Sequence, residues 1–435
     1  MTAEIAIMNR EAIALAADSA VTMSQEEELE QKVFTSANKL FTLSKYYPVG
    51  IMVYGIASFM GVPWETIIKI YRNKLGKQKF DTLEEYADDF IAFLNNGNPL
   101  FPEDVQKEYL YGSILNFFSE VIKKEIWEKL ELTINKEGRF TDTQIKQITS
   151  AVIKEHYDKW ENAKMLPSIP ETHIEDLIKK YGDIINGVRK EVFKKLPMSA
   201  TSLNRLRKIG ASLFSKDIFP ANISTVVIAG FGEKEPFPSL KLFRIEGITN
   251  NKMKYRKEYS ASAEEGAAII PLAQREMVDA FMAGVNPELQ EYMGDNLSQI
   301  FDKYPEVIVE SIGKIDDNEK RTLLKKLKQT SNRIFKDYQE RVGKKVEAHA
   351  GSIMDVVAEL PKDELATMAE TLVNLTSFKR RVTVGAETVA GPIDVAVISK
   401  GDGFIWIKRK HYFKPELNPQ FFAKYYREEE NEKKQ

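Results

Sequence analysis

Residues 1–21 read MTAEIAIMNREAIALAADSAV, and the fold turns on how this stretch is paired. Two short apolar runs, AEIAIM and AIALAAD, flank the polar turn Asn9-Arg10-Glu11. Runs of this length and composition on either side of such a turn predict a β-hairpin. A loop centred on Arg10 sets Met8 opposite Ala12, Ala6 opposite Ala14, Glu4 opposite Ala16 and Thr2 opposite Asp18. Directly opposed residues share one side of a sheet, with Cβ atoms ~4.5–5.5 Å apart, so this register predicts Thr2 and Asp18 side by side. A shift of one residue would undo the juxtaposition.

The pairing has chemical meaning. Initiator methionine is usually trimmed before a small residue such as threonine, and loss of Met1 would leave Thr2 with a free α-amine beside its hydroxyl. An α-amine has a reference pKa of ~7.7–8.0 and serves as a base near neutral pH. The two groups together make the threonine form of an activated nucleophile. A nearby cation would lower the nucleophile's pKa, and a carboxylate would hold that cation in place. Lys39, opening KLFTL, is the candidate cation and Asp18 its orienting partner. The oxyanion of an acyl-transfer reaction needs backbone N–H donors. Gly55 in VYGIAS, with the neighbouring Tyr54 N–H, is the candidate, because glycine lets backbone approach a substrate closely.

Composition narrows the alternatives. With 43% hydrophobic and 29% charged residues, the 435-residue chain can build a sizeable core as one large domain or two to three ordinary ones. A formal charge of −2 offers no long-range pull on nucleic acid or an acidic membrane surface. The absence of cysteine excludes thiol catalysis, disulfides and cysteine-held metals, and it points to a reducing cytoplasm. Glu4, Asn9, Arg10 and Glu11 stand where a signal peptide needs apolar residues, and no apolar run reaches the ~20 residues of a membrane helix.

Along the chain, strand patterns cover about Thr2 to Ile56, then return at ISTVVIAGFG, SLKLFRIEG and MKYRKEYS. They close at RVTVGAETVAGPIDVAVISKGDGFIWIKRKHYF, where Gly401-Asp402-Gly403 marks a turn between Ile393–Ser399 and Phe404–Ile407. Between them the periodicity is helical. Val105, Tyr109, Leu110, Leu115, Phe118, Val121, Ile122 and Ile126 lie mainly on one helix face in the first helical zone. A long amphipathic helix in the second carries Leu323, Leu324, Leu327, Ile334, Phe335, Tyr338 and Val342. This order predicts an α+β core formed by residues 1–60, 200–262 and 379–415, helical insertions at 61–199 and 263–378, and a charged tail over 416–435.

Taken together, REAIALAADSAVT, SANKLFTL and GIMVYGIASF resemble the start of a proteasome β-type subunit or of its bacterial ATP-dependent relative. In that family an N-terminal threonine precedes a strand, an Ala-Ala-Asp-Ser element ends the second strand, and a lysine opens the third. ISTVVIAGFG, SLKLFRIEG and VAGPIDVAVISK resemble its later strands, and the matching segments cover about a third of the chain. The resemblance implies a four-layer αββα sandwich of the N-terminal nucleophile (Ntn) hydrolase class, here with two long helical insertions. It places Thr2 as nucleophile, Asp18 and Lys39 as its electrostatic partners, and Gly55 in the turn that leads into a helix. It implies hydrolysis of a peptide or small amide substrate through an acyl-enzyme, with no cofactor and no metal. A homo-oligomer is expected, an ATP-dependent partner is conceivable, and neither nucleic acid nor a membrane is expected as a partner. Departures are visible. Glu4 is unusual so near the site, a family serine has no clear counterpart beyond Ser262 in YSASAEEG, and a family Asp–x–x–Ser–Gly element is blurred into residues 387–391. The competing reading is a non-catalytic, proteasome-like assembly module.

Other features read as structural. His156, His173, His349 and His411 share no metal spacing and are expected at the surface. GFGEKE at Gly230 lacks the lysine and hydroxyl residue of a phosphate loop. Lys408-Arg409-Lys410-His411 is expected to be a solvated strand end.

Overall fold

The computed structural model describes residues 3–24, 31–34, 36–95, 97–137, 141–194, 196–313, 316–383, 391–420 and 423. Strands β1 (Glu4–Met8), β2 (Ala12–Ala17), β3 (Val21–Ser24), β4 (Gln31–Phe34), β5 (Leu40–Thr42), β6 (Val49–Tyr54), β7 (Ser58–Phe59) and β8 (Val62–Pro63) come first. Helices follow: α1 (Trp64–Leu75), α2 (Leu83–Asn95), α3 (Glu103–Asn116), α4 (Lys124–Glu137), α5 (Asp142–Asn162), α6 (His173–Phe193) and α7 (Ala200–Ser212). Next are β9 (Ser224–Gly230), β10 (Ser239–Thr249), β11 (Lys252–Ser262) and β12 (Ala268–Pro271). Helices α8 (Glu276–Ala283), α9 (Pro287–Ser311), α10 (Asp317–Glu359) and α11 (Lys362–Val382) precede β13 (Asp394–Ser399) and β14 (Gly403–Lys408). The fold is α+β. It divides into two compact units, Met1–Leu40 with Pro236–Ser239 and Ala261–Gln435, and Phe41–Glu235 with Leu240–Ser260.

The first unit holds a five-stranded sheet in the order β12-β1-β2-β13-β14, all neighbours antiparallel. Every residue of β1 and β2 is buried, which fits their apolar character on both faces. The hairpin forms, but in a different register from the one expected. Asn9 closes a two-residue loop: its N–H donates to the Ala12 carbonyl (3.1 Å), and its Oδ1 accepts from the N–H groups of Glu11 and Ala12 (3.0 and 3.2 Å). Facing positions therefore run from Met8 with Ile13 to Glu4 with Ala17. Asp18 consequently meets Ala3: its N–H donates to the Ala3 carbonyl at 3.1 Å.

Helix α11 covers one face of this sheet. Its Leu365, Ala366, Ala369, Leu372 and Val373 pack in one cluster with Ile5, Ile7, Ala12, Ala14, Ala16, Val395 and Val397. The 43-residue α10 packs along α9, with the Phe301 and Phe335 rings 5.5 Å apart and Lys328 paired to Glu306 at 2.6 Å. Strand β12 lies inside the zone read as helical from residue 263.

The second unit has its own five-stranded sheet, β11-β10-β9-β6-β5. Helices α1 and α2 contribute Ile67, Ile68, Tyr71, Tyr86 and Phe90 to a cluster with Val49, Ile51, Val226, Ile228 and Phe243. A separate helical cluster carries Leu110, Ile114, Phe118, Ile122, Ile126 and Leu130 at every fourth position. A four-residue repeat drifts around a 3.6-residue helix, and the π-helical turn Phe117–Lys123 between α3 and α4 corrects the drift. Val121, grouped by sequence with the apolar face, is thereby turned outward and 38% exposed. The helical zone runs on through α7 to Ser212 instead of ending at 199. His173 is buried and not at the surface: its Nδ1 is 2.9 Å from Ser215 Oγ and its Nε2 3.3 Å from the Thr249 carbonyl. Burial pushes its pKa below the ordinary histidine value.

No described helix is long and apolar enough to cross a membrane.

Candidate functional site

The end of β2 gathers polar groups in an otherwise apolar sheet. Asp18 and Lys39 are both buried, and Lys39 Nζ lies 2.6 Å from Asp18 Oδ1. The same Oδ1 accepts the N–H of Ala3 at 3.1 Å, and Oδ2 accepts the N–H of Ala20 at 3.2 Å. The carboxylate thus has three donors. That number matters, because a buried ion pair repays its desolvation only when its remaining lone pairs are also satisfied. The chain brings Lys39 here by a local tie: the Ala37 N–H donates to the Ser19 carbonyl at 3.1 Å, laying the segment before β5 against the residue after Asp18.

Ser19 Oγ donates to the carbonyl of Pro392, joining this corner to the segment entering β13. There a second ion pair appears, with a buried aspartate, that composition and motif did not reveal. Asp394 accepts hydrogen bonds from the N–H of Lys410 (2.8 Å) and from its Nζ. Lys410 is therefore a partly buried partner of Asp394 instead of part of a solvated strand end. Lys408 does reach out, to Glu370, and the Arg409 guanidinium sits over the Trp406 ring. An isolated aspartate opening an apolar strand, followed by a basic run, was the available signal.

Glu4 stands apart. It is buried, yet neither carboxyl oxygen has a hydrogen-bond partner among the described residues. Register sets Glu4, Ala17 and Asp394 opposite one another across β1, β2 and β13, on one side of the sheet. Burial is the main effect on Glu4 and pushes its pKa up to about 8. Lys39 opposes the rise and Asp18 adds to it.

Of the sequence-derived candidates, Asp18 and Lys39 come together. Thr2 lies outside the described residues, as do residues 387–390 of the blurred family element and 424–435 of the tail. Gly55 belongs to the second unit, at the end of β6, with φ +89°. A Cβ there would stand 1.9 Å from the Ile223 carbonyl oxygen, so the position admits only glycine. Ser262 ends β11 and accepts the Glu264 N–H at 3.2 Å, an ordinary turn contact.

The arrangement is a buried lysine–aspartate pair whose carboxylate is also anchored to the peptide nitrogens of Ala3, the residue after Thr2, and Ala20. Such a pair can hold a positive charge in a desolvated position next to a nucleophile. Comparison with protein-family models and with curated proteins finds no match to this chain.

Proposed function

We propose that the chain is a threonine-type Ntn hydrolase that cleaves an amide bond in a peptide or small amide through an acyl-enzyme on Thr2. The observation that carries this reading is the shared Asp18 Oδ1, which accepts both the Lys39 ammonium and the N–H of Ala3. Thr2 is the covalent neighbour of Ala3, so the cation is tied within a residue of the candidate nucleophile.

In the proposed reaction the α-amine of Thr2 takes the proton from Oγ as Oγ attacks the amide carbonyl. The Lys39 charge favours the alkoxide, and Asp18 holds Lys39 there. Backbone N–H groups would stabilise the tetrahedral oxyanion, the role the sequence suggests for Gly55. Collapse of that intermediate breaks the C–N bond, the proton on the Thr2 amine passes to the departing amine, and water then hydrolyses the ester on Thr2. The accompanying fold reading is the four-layer αββα sandwich. It is supported by a five-stranded sheet in each unit with helices packed on one face.

The test is the intact mass of the purified protein before and after an epoxyketone or β-lactone. Loss of Met1 and one adduct on Thr2, absent in Lys39→Ala, is the expected result. Retention of Met1 with no adduct would overturn the reading in favour of a non-catalytic module.

A further inference from the structure

Helix α9 is apolar on two faces. One packs inward: Phe301 meets Phe335 of α10, and Pro305 and Val309 are buried. The other looks outward, where Leu289, Tyr292, Met293, Ile300, Tyr304 and Val307 are 46–67% exposed. At about 100° per residue these six fall, with Asn296, inside an arc of about 120° that runs the length of the helix, and Phe301, Pro305 and Val309 lie outside it. Exposed apolar residues scattered singly are ordinary, but a continuous stripe of six on one 25-residue helix marks a contact surface.

The pattern of the stripe indicates what covers it. Leu289, Tyr292, Asn296, Ile300, Tyr304 and Val307 are spaced 3, 4, 4, 4 and 3 residues apart, a series that reads the same from either end. Two copies of α9 laid antiparallel about a two-fold axis level with residue 298 therefore set Leu289 against Val307, Tyr292 against Tyr304 and Asn296 against Ile300. Asn296, whose amide donates to the Tyr292 carbonyl of its own helix at 2.7 Å, is the polar member of an otherwise apolar seam, and a residue of that kind fixes register. In the same alignment Lys303, the one base of α9, comes within a residue of the level of Asp295 in the second copy. Charge argues against a lipid surface. Glu288, Glu291, Asp295, Asp302, Glu306 and Glu310 oppose the single lysine, a balance that anionic headgroups repel. About half of six large side chains comes to ~500–600 Å² per copy, on the order of 1,100 Å² for a pair, which passes the ~1,000 Å² expected of a specific interface.

We propose that the chain associates with a second copy of itself through the outward face of α9, as an antiparallel helix pair centred on residue 298. The contact is isologous, so every residue pair across it occurs twice and the contact closes at two copies. Burial of the six apolar side chains drives the association, and the Asn296–Ile300 layers set its register. The pairing holds whether or not Thr2 is a nucleophile.

Sedimentation equilibrium of the full chain over about 1–100 μM tests this. The wild type should form a dimer or a multiple of one. Ile300→Asp and Tyr304→Asp should each weaken the pairing by at least about tenfold, with circular dichroism unchanged because both side chains are exposed in the single chain. Two variants guard against one that misfolds. A wild type that stays monomeric, or variants that associate as well as the wild type, overturn the proposal. A monomeric wild type that pellets with phosphatidylcholine vesicles overturns it in favour of a lipid-binding face. The orientation has its own test. The chain has no cysteine, so Asn296→Cys and Ile300→Cys carry the only thiols. Oxidised as a mixture, the two variants should cross-link in higher yield than either alone. Equal or better yields from each variant by itself are the mark of a parallel pair and overturn the antiparallel register.

Discussion

Asp18 receives its three donors from three separate stretches: the N–H of Ala3 on the approach to β1, the N–H of Ala20 beyond β2, and the Lys39 side chain. Removing only one member strands the other in the interior. Lys39→Ala should therefore destabilise the protein by about 3–5 kcal/mol in urea unfolding, and the paired change Lys39→Met with Asp18→Leu by less than either single change. Glu4 gives a separate signature in the pH dependence of stability. Its folded-state pKa is raised to about 8, whereas the unfolded chain releases the proton at its ordinary acidic value. The folded state thus holds a proton that the unfolded state has lost. The contribution is fully present below the unfolded pKa and disappears as the pH rises through about 8. Over that window stability should decline by up to ~1.4 kcal/mol per pH unit, and Glu4→Gln should abolish this part of the slope. A wild-type protein whose stability climbs over the same range, by the same amount as the variant's, would contradict the assignment.

At the scale of elements, two irregularities govern how the helices and strands meet. Gly55 ends β6 with φ +89° directly under the Ile223 carbonyl. Gly55→Ala combines an unfavourable backbone with a clash against a strand neighbour and should cost on the order of 3 kcal/mol in thermal or urea unfolding. The π-helical turn between α3 and α4 makes a sharper comparison. It contains an additional residue, so deleting exposed Glu120 within it lets an ordinary α-helix run through while Ile122, Ile126 and Leu130 keep facing the core. Deleting exposed Glu128, in the regular helix, instead turns Leu130 and all that follows by about 100°. The Glu128 deletion should lower the melting temperature well beyond the Glu120 deletion, and equal losses would refute this account of the turn.

At the scale of the whole molecule, neither unit is a continuous piece of chain. The second unit's sheet needs β10 and β11, which come after residues 236–239 of the first. A fragment ending at Glu235 leaves β9 as an edge and should be insoluble. A fragment spanning 40–262 restores the whole sheet and should show cooperative unfolding. What the sequence reveals follows the same division between local and distant causes. The hairpin, the β13–β14 turn at Gly401-Asp402-Gly403 and the long helix α10 were legible because periodicity and turn residues are local signals. The union of Asp18 with Lys39 was legible from their positions at a strand end and a strand start. The hairpin register was not, since it depends on whether the Asn9 side chain caps a two-residue loop, and one residue decides which groups face one another. Burial of His173 was also hidden: its partner Ser215 stands 42 positions away, and nothing beside the histidine distinguishes it from a surface one. Lys410 failed for the same reason, because Asp394 reaches it only across the β13–β14 hairpin.

The alanines of β2 carry one more consequence. Ala12, Ala14 and Ala16 meet α11, while Ile13, Leu15 and Ala17 fill the opposite side, and none has accessible surface beyond 1%. Close-packed positions of this size admit no larger side chain without displacing a neighbour. In a saturation library the strand should therefore be nearly silent, tolerating glycine or serine at best, and selection for a new specificity could not act through it. Variation compatible with a working protein would have to accumulate elsewhere, which makes the strand leading into Asp18 a conservative frame around which the rest of the chain is free to diverge.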